Sequence, residues 1–235
     1  MAIIGLGLLA GIVTTLAGMG GGMVLVLGLA LFMDPTVALA ASGPALLLGN
    51  GHRLWMYFAE LNRPIAWPYA LGGIPGALIG GLLLGVVPTV WVQVAMLMVA
   101  LAATAKVLAG WAWRPPAGAL VPGGFAVGFT ASTAGGGGLI AGPMLLASGL
   151  TGRSYVATAA AGAIAVHLGR MVGYGASGVL STSALQLGVG LAALVMVGNG
   201  LGERIRQQLD ASAVGRLERG VVLGCLGLAT VGLVS

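Results

Sequence analysis

The sequence predicts an all-α polytopic membrane protein, and three observations carry that prediction. Of 235 residues, 58% are hydrophobic and 6% are charged, whereas a soluble domain has about 25% charged residues. Apolar stretches long enough to cross a bilayer, about 20 residues each, succeed one another along the chain. Two of them, residues 2–33 and 117–152, are too long for one span, and each holds a glycine run near its middle. The runs are LAGMGGGM (Leu16–Met23) and STAGGGGL (Ser132–Leu139).

Charges and prolines divide the chain into about eight segments. Residues 2–33 carry no charge, and residues 36–59 follow Asp34 and Pro35. A loop over Glu60–Pro64 precedes residues 65–87, which Pro88 ends; residues 89–110 run up to Trp111–Pro116. Residues 117–152 are again uncharged, and residues 154–178 and 182–202 follow. The polar stretch Glu203–Arg219 leads into a last segment that begins near Ala213. A straight helix over either long segment would reach about 50 Å at 1.5 Å per residue. The hydrocarbon core is about 30 Å thick, and tilt absorbs only part of the excess. Both segments are therefore expected to contain broken or re-entrant helices at their glycines.

A shift of 117 residues aligns the chain with itself for some fifty positions: Gly11 meets Gly128, Gly20 meets Gly137, Arg53 meets Arg170 and Tyr57 meets Tyr174. Thr15 meets Ser132, a hydroxyl for a hydroxyl. Arg and Tyr are rare here, so these matches weigh more than those between glycines. Two homologous halves follow, about 1–110 and 117–235. Four spans per half make the repeats parallel, whereas re-entrant pairs in the long segments make them inverted. Duplicated halves with interrupted helices mark secondary transporters, whose substrate site lies at the repeat interface near the membrane midplane.

The residues around the glycine runs suit an anion. A half-helix N-terminus presents unpaired N–H donors and partial positive charge, and glycine lets an oxyanion approach the backbone. The candidate binding residues are Thr14, Thr15, Gly18, Gly20 and Gly21 with their counterparts Ser132, Thr133, Gly135, Gly137 and Gly138. Arg53 and Arg170 complete the set, because an Arg fork matches an oxyanion in two-point contact. His52 and His167 are the candidates for a proton-linked role. Close packing of helices is the competing reading for the glycines, and snorkelling is the competing reading for Arg53. Asn50 and Asn199 fit interhelical hydrogen bonds. Trp55, Tyr57, Trp67, Trp91, Trp111 and Trp113 fit an interfacial belt.

These patterns resemble one known family. The stretches GIVTTLAGMGGGMVLVLGLALFMDPTVALAASGPALLLGNGHR and GFTASTAGGGGLIAGPMLLASGLTGRSYVATAAAGAIAVHLGR look like the duplicated core of the TauE/SafE-type sulfite exporter permeases. The resemblance covers nearly the whole chain. It implies secondary transport of a small anion, a sulfur oxyanion or an organosulfonate such as sulfite, thiosulfate or sulfoacetate, across a bacterial cytoplasmic (inner) membrane. A chain of 235 residues is at the short end for such permeases.

Other classes fit less well. A dinucleotide loop needs a strand and a βαβ unit, and no catalytic pair accompanies the few ionisable residues, so no enzyme is expected. The lone cysteine, Cys225, supports neither an internal disulfide nor a metal cluster, and no cofactor is expected. The net charge of +5 is scattered, which suits topology and lipid headgroups rather than nucleic acid. The expected partners are an anion substrate and the bilayer, with a homo-oligomer allowed by the glycine content. The alternative function is an anion channel or a non-transporting membrane assembly subunit. The positive-inside rule puts Glu203–Arg219 in the cytoplasm, and eight spans then leave Arg63 and Arg114 on the opposite side.

Overall fold

A computed structural model describes residues 2–17, 20–109, 116 and 119–234. Among these residues the fold is built from ten α-helices and a short 3-10 turn. The first five helices are α1 (Ala2–Ala17), α2 (Gly21–Ala30), α3 (Pro35–Met56), α4 (Arg63–Leu84) and α5 (Thr89–Leu108). The second five are α6 (Leu120–Thr133), α7 (Gly138–Ala147), α8 (Gly152–Ala176), α9 (Thr182–Arg206) and α10 (Ala211–Val234).

Polar residues set the helix starts. The Asp34 side chain accepts the Thr36 N–H at 2.7 Å, with Pro35 opening α3. Asn62 caps α4 through the Ile65 N–H at 3.3 Å, and Ser181 caps α9 through the Ala184 N–H at 3.1 Å. Each cap supplies an acceptor that the first turn lacks. Helices α4, α5, α8 and α9 are long and apolar enough to cross a membrane. Helices α3 and α10, with 22 and 24 residues, have the same reach.

Both long segments are helical hairpins. Gly21 of α2 lies against Thr14 and Ala10 of α1, and Gly28 lies against Leu6, so α2 runs back along α1. In the same way Gly137 lies against Val127 and Ala131, and Gly123 against Met144, so α7 runs back along α6. The two long segments are thus re-entrant hairpins beside four helices that are long and apolar enough to cross a membrane and two more, α3 and α10, of crossing length. The physical reason is length: α2 and α7 have 10 residues each, about 15 Å, half a bilayer.

The hairpins fix the relation between the halves. Helix α8 runs parallel to α4, with Val166 beside Gly73, Gly173 beside Gly81 and Ser177 beside Gly85. Helix α9 runs parallel to α3, with Gly188 beside Ala41 and Val195 beside Gly49. Since α3 and α4 are consecutive crossings in opposite directions, α3 and α8 point opposite ways. The five-helix units are therefore inverted with respect to each other. They also interlock, because α1 packs on α9 and α6 packs on α4. Gly7, Gly11, Gly198 and Gly202 make the first contact, and Gly72, Gly76, Gly124 and Gly128 make the second. All recur at four-residue spacing, which lets backbones approach closely.

This path puts the 57–62 and 207–210 loops on one face and the 31–34, 85–88 and 177–181 loops on the other. Two contacts agree with it: Tyr57 donates to Glu203 on the first face, and Thr89 donates to Asp34 on the second. Arg63, Lys106, Arg153, Arg204, Arg206, Arg216 and Arg219 all lie toward the first face, so Arg63 moves to the side of the 203–219 stretch. Arg114 lies outside the described residues. Impermeant maleimide should label Val86→Cys and Ser183→Cys in intact cells, and Glu60→Cys and Gln208→Cys only after permeabilisation. Opposite labelling of positions 60 and 208 would refute the hairpins. The native Cys225 is 1% exposed and gives little background.

Candidate functional site

Two turns of unusual backbone bring the hairpins together. Gly20 has φ 91° and Gly135 has φ 78°, in the left-handed region that costs an L side chain about 1–2 kcal/mol. A Cβ added at Gly135 would stand 3.0 Å from Val26 of α2, so the second hairpin tip sits directly on the first hairpin. Between the tips and the crossing helices lies a cavity of about 150 Å³. A single water needs about 10–15 Å³, so several waters or one small anion can be accommodated.

The cavity wall has three kinds of surface. Gly20, Gly22 and the run Gly135–Gly138 provide backbone surface without side chains. Met23, Leu46, Val127 and Val166 provide apolar surface. Thr14, Asn50, Arg53, His167 and Arg170 provide polar groups, with Tyr69 and Tyr155 beside them. No acidic residue lines the cavity among the described residues.

The arginines are the unusual feature. Arg53 is 2% exposed and Arg170 is 1% exposed. Arg53 Nη1 donates to the Thr14 carbonyl at 3.3 Å. Arg170 Nη1 donates to the Ala131 carbonyl at 3.3 Å. Each bond links a helix to the hairpin of its own half across 39 residues, and the two bonds are related by the same 117-residue shift as the sequence. Among the described residues neither arginine makes an ion pair, and both Nε donors are buried without a partner. Burying an ion costs several kcal/mol unless charge and hydrogen bonds compensate it. An anion in the cavity would supply both.

The candidate residues divide by position. Thr14, Gly20, Arg53, Gly135, Gly137, Gly138, His167 and Arg170 lie on the cavity wall. Gly21 packs on α1 instead. Thr15 donates to Asn199 at 3.1 Å, and Asn199 Nδ2 donates to the Gly49 carbonyl at 2.9 Å, tying α1, α9 and α3 together. Ser132 accepts the Tyr174 hydroxyl on its carbonyl at 2.6 Å, while its own hydroxyl is buried without a partner. Thr133 donates back to Phe129 at 2.9 Å within α6. His52 lies in a separate outward groove with Trp55, whose ring it stacks on at 5.9 Å. Gly18, Trp111 and Trp113 lie outside the described residues. Trp55, Trp67 and Trp91 are 76%, 67% and 63% exposed near helix ends, the placement of an interfacial belt, whereas Tyr57 is buried and donates to Glu203 rather than joining the belt.

Sequence reasoning passed over Tyr69, Tyr155, Gly22 and Gly136 as wall residues, and Asn50, expected in an interhelical hydrogen bond, instead lines the wall and donates to the Leu46 carbonyl within α3 at 2.7 Å. The tyrosines carried a signal, since the chain has only four and these two stand early in apolar helices. At the end of α3, burial together with the Glu203 carboxylate that it donates to pushes the Tyr57 hydroxyl up to about 12.

Interrupted helices meeting at a cavity inside a polytopic bundle are the arrangement of secondary membrane transporters. The family is specific: residues 3–231 match the model for the sulfite exporter TauE/SafE, and the chain belongs to that family of membrane transporters. No match was found among curated proteins or solved structures.

Proposed function

We propose that the protein is a secondary transporter that carries a small sulfur oxyanion or an organosulfonate across a bacterial cytoplasmic membrane. One observation carries the reading: among the described residues a buried Arg53 makes one hydrogen bond with its five N–H donors and lines a cavity without acidic groups. A tetrahedral or pyramidal oxyanion offers several acceptors to that fork and to the glycine N–H groups. The apolar wall of Met23, Leu46, Val127 and Val166 leaves room for the short carbon body of a sulfonate. His167 adds a ring to the same wall, placed to donate to the anion or to carry a coupled proton.

Residues 1–110 and 117–235 act in this reading as two inverted repeats. Rocking one against the other exposes the cavity alternately to each face, as in other inverted-repeat carriers. The test is uptake into liposomes holding the purified protein, with sulfite, thiosulfate, sulfoacetate and sulfate. Saturable uptake with counterflow of at least one sulfur anion is expected. Unsaturable flux would favour a channel, and movement of none would sink the anion site.

A further inference from the structure

The two arginines match in sequence position and in one hydrogen bond, yet they differ in every other partner. Arg170 Nη2 donates to the Leu39 carbonyl at 2.8 Å and also to the Ser42 hydroxyl, both on α3 of the opposite half. Its guanidinium carbon lies 5.5 Å from the Tyr174 ring centroid, a cation–π distance. Tyr174 is itself anchored on Ser132. Arg170 thus spans α8, α6 and α3.

Arg53 has none of these restraints. The shift that carries Arg53 onto Arg170 carries Ala159 onto Ser42's position, so a methyl stands where the partner hydroxyl would be. Tyr57, which corresponds to Tyr174, donates its hydroxyl to Glu203 instead of to the hairpin of its own half. Among the described residues the Thr14 carbonyl is the one hydrogen-bond acceptor of Arg53. The Ser42/Ala159 part of the difference lies in residue identity and so belongs to the chain.

We propose that the matched arginines have divided their work: Arg53 is the guanidinium that contacts the anion, and Arg170 is a positioning brace that locks the second hairpin to the first half. This rests on the reading of the cavity as an anion site. Removing an uncompensated buried charge relieves a desolvation cost, whereas removing Arg170 takes the guanidinium donor from the buried Ala131 carbonyl and the Ser42 hydroxyl oxygen, and leaves Leu39 with only the Ser42 hydroxyl as a side-chain donor. The two truncations therefore act oppositely on stability. Hydrogen bonds to charged groups are worth about 1.5–3 kcal/mol, so loss of the Arg53 contact weakens binding about 10- to 150-fold.

The experiment uses the full chain in nanodiscs, with calorimetric binding of sulfite and sulfoacetate and thermal unfolding of Arg53→Gln, Arg170→Gln and Ser42→Ala. Arg53→Gln is expected to unfold at or above the wild-type temperature without ligand and to lose at least tenfold in affinity. Arg170→Gln is expected to unfold at a lower temperature and to lose less affinity than Arg53→Gln. Ser42→Ala removes one bond of the brace, and is expected to lower the unfolding temperature modestly with affinity within about threefold of wild type. It carries the stability comparison if Arg170→Gln is not recovered folded. Equal affinity losses for the two arginine variants overturn the division of labour, as does destabilisation by Arg53→Gln or an unchanged unfolding temperature for Ser42→Ala. Absence of binding to the wild type by any sulfur anion overturns the cavity reading itself, and this inference falls with it.

Discussion

Gly128→Leu is expected to abolish recovery of folded protein. A Cβ at Gly128 would stand 2.7 Å from the Ala77 backbone nitrogen and closer still to the Gly73 carbonyl oxygen. Neither is the movable end of a side chain. The two helices would have to separate, and Gly72, Gly76 and Gly124 would lose their close contacts with them. Overpacking typically costs about 1–3 kcal/mol where side chains can adjust; here the obstacle is backbone, so the cost lies above that range. Native proteins have about 5–15 kcal/mol in hand, and this seam is among the largest in the molecule. Gly11→Leu is the matched case, since its Cβ would stand 2.9 Å from the Gly198 Cα and the Asn199 nitrogen. Gly51, Gly190 and Gly200 are the controls: they are helical and face open space. Alanine at those sites should be neutral or add about 0.5–1 kcal/mol. Size-exclusion profiles of fluorescent fusions would measure this, and a monodisperse Gly128→Leu peak at wild-type yield would contradict the close packing.

The double variant Gly20→Ala/Gly135→Ala should lose transport while remaining folded. A methyl at Gly20 meets Val221 at 3.5 Å and Val13 at 3.9 Å, so space is available there, while at Gly135 it meets the Val26 side chain at 3.0 Å, which must give by a few tenths of an ångström. The penalty at Gly20 is conformational, because φ stands at 91°. At about 1–2 kcal/mol for each residue, the pair disfavours the native hairpin tips by about 2–4 kcal/mol. Every 1.4 kcal/mol is tenfold, so the equilibrium between native and rearranged hairpin tips shifts against the native cavity by roughly 30- to 700-fold. Initial uptake rates should fall at least tenfold at normal membrane yield. Wild-type rates in that variant would separate the hairpin tips from transport.

Some of this was legible in residue order, and the division follows the range of the physics. Membrane residence and the interruptions at the glycine runs depend on composition and segment length, which are local quantities. Whether α2 continues across the bilayer or folds back depends on Gly21 and Gly28 finding seats on Thr14, Ala10 and Leu6, and no local pattern encodes that. The site was legible down to its arginines but not to the helix rotation around them. One residue turns a helix by about 100°, enough to put Arg53 on the cavity wall and His52 in the outer groove. The Ser42–Arg170 contact spans 128 residues, and Ser42 has no feature that marks it in advance.

The inverted arrangement has a consequence for how the chain is read during insertion. In the first half, Arg63 and Lys106 lie at the α3–α4 loop and the end of α5, and the α4–α5 loop has no charge. In the second half this is reversed: the α8–α9 loop is uncharged, while Arg153 precedes α8's apolar stretch and Arg204, Arg206, Arg216 and Arg219 flank the α9–α10 loop. Corresponding loops thus carry opposite instructions to the insertion machinery. Obeyed separately, those instructions turn two similar polypeptides upside down relative to each other, and one chain comes to hold both orientations of the same design.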